Sequence, residues 1–594
     1  MLQEAMEVFR QMLQEKGDRL VLDEYVPKDG TYRIIKLTED SYKIEKTLDI
    51  RYDRKNDEII GKTDSIYDQV CYMDYYSKLL EMNKPIDAKK IIHSNNYLSL
   101  WMKKDSIKEQ KLTEEILDSY YETLKNPEIK YAKKTKAKVL YEATEEELGK
   151  PNIQLIERIR KYVADKDIWE DLNFDQKDYI KIFFVLDNWK ETQALYQCEG
   201  SRYLYPNIFN NNDFNEVESG NILGLPNDNM GMNAKKPYLA NKTRKVAVPY
   251  LLDKNEAILQ AKLFDYLMGF ASKGKVNIYI NSDHLWFRGY SNTEEPQGMR
   301  NGYFLRLKKG KEVEIHQGDI ISDYNTKLSP PFCLKNGIGI PDKTLEKYDI
   351  QYNTFYDKLW KMKGVIDQTF FENKLSNNFF TEAKDIPITD GVLKRTLLES
   401  RDRLFAWFYK GCDENIAAFL DKISIDLIIN SIGNGRVFLA QRQFNLRWSL
   451  IDYFNKDRGM ELKMENVRKQ LREKIDLKDE WEFMSEEEFG YAAGQMVSYL
   501  ISRSKANNKP SSLVNPYLNA KNHEVVRKRL LQLYKKYNYD ISHYPDNRAE
   551  QIFTHIMSYI PKENEVLNKE MIAAGFTASS LIYVKKNQEG GEKL

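Results

Sequence analysis

The chain has 594 residues, of which 42% are apolar, 12% aromatic and 30% charged. Its mean hydropathy of -0.64 excludes a protein embedded in a membrane, and its length predicts about three or four folded domains. The 91 basic and 90 acidic residues leave a net charge of +1, so any attraction to phosphate groups must come from local clusters of cations.

The first 197 residues are predicted to form a mixed α/β and helical region. Residues 1–20 have the spacing of an amphipathic helix that carries acidic residues, which is not the pattern of a secretion signal. Alternating stretches at 32–37 and 42–53 predict strands, and the spacing from about 66 to 190 predicts several helices. We therefore expect a chain that stays in the cytoplasm.

Residues 198–385 are predicted to contain a loop followed by a second α/β region. Asparagine, glycine and proline are concentrated between 198 and 248, a composition that favours turns over long helices or strands. After this loop, the sequence predicts a helix at 255–272 and strands at 276–280 and 303–310.

Residues 386–594 are dominated by helical spacing, which predicts a C-terminal helical bundle. In FGYAAGQMVSYLISRSK (489–505), apolar residues recur three and four positions apart. The stretch SIGNGR (431–436) predicts a turn between two helices. The three regions together predict an α+β fold, with mixed α/β N-terminal and middle regions and a C-terminal α-helical bundle.

The sequence contains no constellation of residues that points to a catalytic site. The four cysteines are widely separated and form no CxxC pair, which argues against a zinc site or a disulfide framework. The six histidines belong to no HExxH or HxH motif, and in NDEIIGKT (56–63) Asn56 replaces the first glycine of a phosphate-binding loop. We predict a protein that is not an enzyme and that needs no metal ion or cofactor. The alternative is a nucleic-acid-processing enzyme with an active site assembled from distant residues.

A dense cluster of positive charge lies in NMGMNAKKPYLANKTRK (229–245), which carries five cations and no acid from Lys235 onward. Lysine and arginine hold phosphate groups, and the side-chain amide of asparagine suits adenine. The alternative is a solvated loop with a chance excess of charge. The predicted nucleic-acid-binding residues of this segment are Asn229, Asn233, Lys235, Lys236, Asn241, Lys242, Arg244 and Lys245.

A second basic stretch lies between residues 501 and 540, with nine basic residues and two acidic ones. On a helical bundle, such a face could follow the backbone of a nucleic-acid strand without reading its bases. The exterior of an ordinary soluble helix is the alternative. The predicted nucleic-acid-binding residues are Arg503, Lys505, Lys509, Lys521, Arg527 and Arg529, and Lys528, Lys535 and Lys536 add to the local charge.

Three segments together resemble one protein family: YYSKLLEMNKPIDAKKIIHSNNYLS (75–99), NMGMNAKKPYLANKTRKVAVPYLL (229–252) and EFGYAAGQMVSYLISRSKANNKPSSLVNPYLNAKN (488–522). The chain resembles the large subunit of the type I-B CRISPR surveillance complex (Cascade), the Csh-type relatives of the eighth Cas protein family. Some of these relatives carry paired cysteines for zinc before the asparagine-rich loop. Cys198 stands alone here, so we expect no zinc at that place.

The resemblance implies a non-catalytic subunit that contacts the 5′-handle region of a guide crRNA, recognises the PAM of target double-stranded DNA and helps to open that DNA. Its partners would be the crRNA, the target DNA, the backbone and handle-capping subunits, and a helicase-nuclease recruited after DNA binding, with no membrane. Guide pairing would supply most of the sequence recognition. The resemblance also implies that the C-terminal bundle is similar to the small subunit of such complexes, which relatives can make separately from an internal start; Met460, Met464 and Met484 are candidates.

Overall fold

The computed structural model describes residues 2–53, 55–56, 58–131, 135–210, 212–218, 221–226, 251–454, 460–476, 481–505, 511–541 and 547–583. The chain divides into two compact units. The first comprises Met1–Glu294 and Asn301–Ser322, and the second comprises Glu295–Arg300 and Asp323–Leu594. Within the described ranges, no helix has both the length and the apolar composition needed to cross a membrane.

A five-stranded sheet is the central element of the first unit. Its strands are β1 Gly30–Leu37, β2 Tyr42–Asp53, β3 Glu58–Ile60, β4 Ser99–Lys103 and β5 Tyr179–Val185. The strand order is β3-β2-β1-β5-β4; β1 runs antiparallel to β2 and parallel to β5, and β4 runs antiparallel to β5. The residues of β5 from Ile180 onward are all buried, as expected for a strand covered on both faces.

Helices make up most of the remainder of the first unit. They are α1 Leu2–Lys16, α2 Arg19–Leu22, α3 Tyr67–Ser77, α4 Lys104–Lys108, α5 Glu114–Lys125, α6 Glu128–Tyr131, α7 Thr135–Leu148, α8 Ile153–Val163, α9 Trp189–Asn207 and α10 Lys254–Ser272. α3 and α9 pack closely against each other. A Cβ atom on Gly200 of α9 would lie only 2.6 Å from the carbonyl oxygen of Tyr76 in α3.

Two further sheets belong to this part of the chain. A three-stranded sheet contains β6 Glu216–Glu218, β7 Asn221–Gly224 and β8 Leu252–Asp253, and a four-stranded sheet contains β9 Asn277–Asn281, β10 Trp286–Tyr290, β11 Met299–Lys309 and β12 Val313–Tyr324. The four-stranded sheet has the order β10-β9-β11-β12. Ile278 and Ile280 of β9 share a core with Phe9 of α1 and Leu263 of α10.

The core of the first unit contains a buried ion pair between Lys181 of β5 and Asp74 of α3. The side chains of both residues are 0% exposed. The hydroxyl of Tyr25 donates a 2.7 Å hydrogen bond to Asp74, and the Lys181 ammonium lies 3.9 Å from the ring centroid of Trp101. Burial lowers the pKa of Lys181 to about 8, because a charge is disfavoured away from water. The pair therefore joins β5 to α3 at a point that water does not reach.

The second unit is mainly helical. Its two-stranded sheet pairs β13 Lys327–Leu334 with β14 Thr354–Lys358. Its helices are α11 Asp342–Lys347, α12 Leu359–Phe370, α13 Leu375–Asn378, α14 Gly391–Lys410, α15 Ile416–Gly433, α16 Val437–Phe454, α17 Met460–Asp476, α18 Glu486–Ser502, α19 Asn515–Leu518, α20 His523–Tyr537, α21 Arg548–Ser558 and α22 Lys569–Thr577.

The helix α18 is the centre of the C-terminal bundle. Ser485 caps its start, because the Ser485 hydroxyl accepts a hydrogen bond from the N–H of Glu488 at 3.3 Å. Almost its whole length is buried, including Phe489, Met496 and Leu500, and α17, α20, α21 and α22 pack around it. The bundle is thus organised around one central helix, α18.

The structure confirms the predicted α+β class and the C-terminal helical bundle. The several helices predicted for 66–190 are present, but the stretch also contains β4 and β5, which were not predicted. One local expectation is wrong: residues 198–207, predicted to belong to a loop, continue the helix α9. The change from the first to the second unit at 322/323 falls inside the predicted middle region, 198–385.

Candidate nucleic-acid interface

The residues on either side of the first basic segment are joined in one sheet. β7 pairs with β8, with Leu223 opposite Asp253 and Gly224 opposite Leu252. The Asp253 carboxylate also caps the start of α10, because it accepts hydrogen bonds from the N–H groups of Asn255 and Glu256 at 2.8 Å and 3.0 Å. The predicted residues that lie outside the described part of the chain are Asn229, Asn233, Lys235, Lys236, Asn241, Lys242, Arg244, Lys245 and Lys509.

The second basic stretch is organised by α20. The side chain of Asn522 accepts a hydrogen bond from the N–H of Val525 at 3.0 Å and so caps the start of the helix. Val526, Leu530 and Tyr537 are buried, and their spacing of four and seven positions places them on one face. This face packs against α18, which leaves the opposite face of α20 to solvent.

Three lysines, Lys528, Lys535 and Lys536, form what we call the basic face of α20. All three are exposed, and Lys528 and Lys535 are about 10 Å apart along the helix axis, since each residue adds about 1.5 Å. None of the three has a carboxylate oxygen within 4.0 Å among the described residues. Lys521, which is also exposed, precedes the cap. Their positive charge is therefore directed at solvent, where it can attract phosphate groups.

Two of the predicted arginines bond to backbone carbonyl groups of the bundle. Arg527 donates to the carbonyl oxygens of Tyr559 and Met557 at 2.7 Å and 3.4 Å, and Arg529 donates to the carbonyl oxygen of Pro516. These bonds join α20 to the end of α21 and to α19. The arginines thus hold the helix in place, and the lysines supply its exposed charge.

Exposed tyrosines accompany the cations near the end of α18. The guanidinium carbon of Arg503 lies 4.8 Å from the ring centroid of Tyr499 and 5.2 Å from that of Tyr583. The ammonium of Lys505 lies 4.9 Å from the ring centroid of Tyr539, two residues after the end of α20. Tyr539 and Tyr583 are 56% and 53% exposed. Rings of this kind can stack on unpaired bases while neighbouring cations hold phosphates.

The sequence predicted the lysines from local charge, but it did not predict this arrangement of aromatic rings. Tyr539 and Tyr583 come from distant parts of the chain, and only the fold brings them beside Lys505 and Arg503. A sequence signal exists for Tyr539 alone, since it stands three residues after Lys536.

A polar cluster lies at the other end of α20, at its first residue. Potential metal-ligand atoms of Glu486, His523 and Glu565 all lie within 4.8 Å of one another. Burial raises the pKa of Glu486, because a charged carboxylate is disfavoured away from water. No short histidine motif marks this cluster in the sequence, since its members come from α18, α20 and the segment between α21 and α22.

No protein-family model, curated protein or solved structure matches the chain. Functional inference therefore rests on the residues themselves. Among the described residues, the basic face of α20 and the tyrosines beside it are the features that bear on nucleic-acid binding.

Proposed function

We propose that the chain is the non-catalytic large subunit of a crRNA-guided type I CRISPR antiviral complex that acts in the cytoplasm. In this role it contacts the 5′-handle region of the crRNA, recognises the PAM in target double-stranded DNA and helps to open the duplex for a recruited helicase-nuclease. The backbone and handle-capping subunits of the complex are its other partners. The segments 75–99, 229–252 and 488–522 are the basis of this proposal, since they resemble that family in the same order along the chain.

The structural observation that supports the proposal most is the basic face of α20. Lys528, Lys535 and Lys536 point to solvent without a carboxylate partner among the described residues. The exposed Tyr539 lies just beyond the C-terminal end of the helix. A single strand that follows α20 would meet phosphate-binding cations first and a stacking surface at the end. This combination suits a displaced or target strand whose bases the protein does not need to read.

In the same proposal, the segment 229–245 contacts the PAM or the guide handle. Its lysines hold phosphates and its asparagines are the candidate base readers. The strands β7 and β8, which precede and follow this part of the chain, pair with each other in one sheet. Reversing the charges of Lys242 and Arg244 should weaken DNA capture by the assembled complex and lower its salt dependence.

The test is co-expression of the chain with its neighbouring genes and a CRISPR array, followed by purification through a tag on this chain. We expect a uniform short RNA with a constant 5′ end, together with several partner proteins. The purified complex should then bind a DNA duplex in a PAM-dependent manner. The same preparation without the array is the control, and it should contain no such RNA.

Recovery of the chain alone, free of RNA at low salt, would overturn the proposal. Metal-dependent cleavage of DNA or RNA by the isolated chain would also overturn it, since that result favours a nucleic-acid-processing enzyme with a composite site. If reversed charge at Lys242 and Arg244 leaves DNA binding by the complex unchanged, that result would exclude the segment 229–245 from the proposed interface.

A further inference from the structure

Three separate segments of the second unit bring metal-binding side chains together. Glu486 is the first residue of α18, His523 is the first residue of α20, and Glu565 lies between α21 and α22. A ring nitrogen of His523 and one oxygen of each glutamate lie within 4.8 Å of one another. Glu486 and His523 are only 7% and 4% exposed, so the cluster lies within the bundle rather than on its surface.

Hydrogen bonds hold both carboxylates in position. The N–H of Asn568 donates to Glu486 Oε1 at 2.8 Å, and His523 Nε2 contacts Glu486 Oε2. The hydroxyl of Tyr559 and the N–H of Lys562 donate to Glu565 Oε2 at 2.7 Å and 3.0 Å. Such bonds orient the ligands of a metal ion and reduce the freedom that binding must remove.

One oxygen of the cluster has no hydrogen-bond donor among the described residues. Both hydrogen bonds to Glu565 reach Oε2, which leaves Oε1 without a partner there. Glu565 is half-buried, so a ligand can approach this oxygen from solvent. A cation could bind there without displacing either hydrogen bond to Glu565.

The charge of the cluster is also unbalanced. Neither glutamate has a lysine or arginine nitrogen within 4.0 Å among the described residues. His523 is thus the one basic side chain among the described residues that contacts either carboxylate. Buried charge of one sign is costly unless it is paired or coordinates a metal ion. A divalent cation would balance the two carboxylates and leave the imidazole neutral.

We propose that Glu486, His523 and Glu565 bind a first-row divalent transition-metal ion, for which Zn²⁺ is the probe. An imidazole nitrogen together with carboxylate oxygens is a ligand set of this class of ion, whereas Mg²⁺ prefers oxygen ligands alone. Three protein ligands leave a coordination position for water. Binding replaces the proton shared between His523 Nε2 and Glu486 Oε2 with the metal ion, and this proton goes to solvent.

The metal ion would join parts of the bundle that are far apart in the chain. It would connect the starts of α18 and α20 to the segment that leads into α22. Because the folded cluster exists only when these three segments are assembled, metal binding stabilises the second unit. This inference does not depend on nucleic-acid binding, so it stands or falls separately from the proposed function.

The test compares two matched variants of the full-length chain. Glu565→Gln removes one ligand charge but keeps the size of the side chain, and Glu563→Gln makes the same change at an exposed residue two positions away. Tag-free protein is freed of metal by chelation, dialysed, and titrated with ZnCl₂ in a calorimeter, with MgCl₂ titrated in parallel. Circular dichroism verifies that each variant is folded.

We expect one Zn²⁺ to bind per chain in the unaltered protein and in Glu563→Gln, with no comparable uptake of Mg²⁺. Glu565→Gln should bind Zn²⁺ at least about tenfold more weakly, because it loses a charged ligand. Stoichiometric Zn²⁺ should also raise the thermal unfolding temperature of the first two proteins but not that of Glu565→Gln. Absence of stoichiometric Zn²⁺ binding in the unaltered protein, or equal affinity of the two variants, would overturn the inference.

Discussion

Gly494 of α18 and Gly575 of α22 lie against each other where the two helices cross. A Cβ atom on Gly494 would lie 2.6 Å from the backbone nitrogen of Phe576 and 3.0 Å from the carbonyl carbon of Gly575. A Cβ atom on Gly575 would lie 2.8 Å from the carbonyl carbon of Tyr491. The two helices are therefore in backbone contact, and a hydrogen atom is the largest side chain that fits at either position.

Gly494→Ala should destabilise the second unit by about 1–3 kcal/mol, because the methyl group forces the two backbones apart. Gly364→Ala in α12 is the matched control, since nothing lies within 4 Å of a Cβ atom there. It should instead stabilise the protein by about 0.5–1 kcal/mol, as alanine does in a helix interior. Urea unfolding followed by circular dichroism measures both changes. Equal effects of the two variants would contradict the close crossing.

Asp74→Asn should destabilise the first unit by about 3–5 kcal/mol, because it leaves the buried charge of Lys181 without its partner. Asp68→Asn, at an exposed position of the same helix, should change stability by less than about 0.5 kcal/mol. Thermal unfolding of the full-length variants measures the difference. A double variant that also carries Lys181→Met should regain part of the loss, since no unpaired charge remains; no recovery would show that the pair does not act through charge.

The buried Lys363 should make the stability of the protein depend on pH. Burial lowers the pKa of its ammonium from 10.5 to about 8, and its ammonium lies 4.0 Å from the ring centroid of Trp360. Between these pH values the unfolded chain holds a proton at this residue that the folded chain has lost. The contribution of Lys363 to stability therefore rises with pH from about 8 to about 10.5 and is least favourable below pH 8.

Lys363→Met should accordingly raise the free energy of unfolding at pH 7 by about 1–3 kcal/mol and remove this part of the rise at alkaline pH. Lys361→Met, whose exposed lysine pairs with the exposed Asp357, is the control and should have little effect. Urea midpoints at pH 7 and pH 10 for the two variants provide the measurement. The same pH dependence in both variants would exclude Lys363 as its source.

The basic face of α20 can be tested by reversing two of its charges. Lys528→Glu with Lys535→Glu should lower the slope of log affinity against log salt concentration for single-stranded DNA by about 1.4, because each lost phosphate contact contributes about 0.7. Lys422→Glu with Lys469→Glu makes the same change of net charge at exposed residues of α15 and α17. Fluorescence anisotropy over a range of salt concentrations measures both slopes. If both double variants lower the slope equally, net charge rather than this face controls binding.

Sequence periodicity predicted the long amphipathic elements and failed where burial is complete. The helix 255–272 and the turn at 431–436 were predicted correctly, since α10 covers Lys254–Ser272 and α15 and α16 flank the turn. β5 was missed because it is buried on both faces, so its apolar residues do not alternate with exposed polar ones, and because it contains Lys181, which a buried strand rarely carries. Residues 198–207 of α9 were assigned to a loop by composition, whereas packing against α3 through Gly200 holds them in a helix.

The candidate interface was predictable to the extent that it depends on charge along the chain. The excess of lysine between 501 and 540 is visible in the sequence, and the amphipathic spacing of α20 places part of it on one face. The carbonyl acceptors of Arg527 and Arg529 were not predictable, because they come from the ends of other helices. The cluster of Glu486, His523 and Glu565 was hidden for the same reason.

The crossing of α18 and α22 also has a consequence for folding while the chain is being synthesised. α18 leaves the ribosome about 80 residues before α22, which at about 5–20 residues per second is an interval of about 4–16 s. During that interval the side of α18 around Gly494 has no partner helix, although the finished bundle buries it. The nascent chain is therefore most exposed to aggregation and to capture by chaperones after α18 has emerged and before α22 follows.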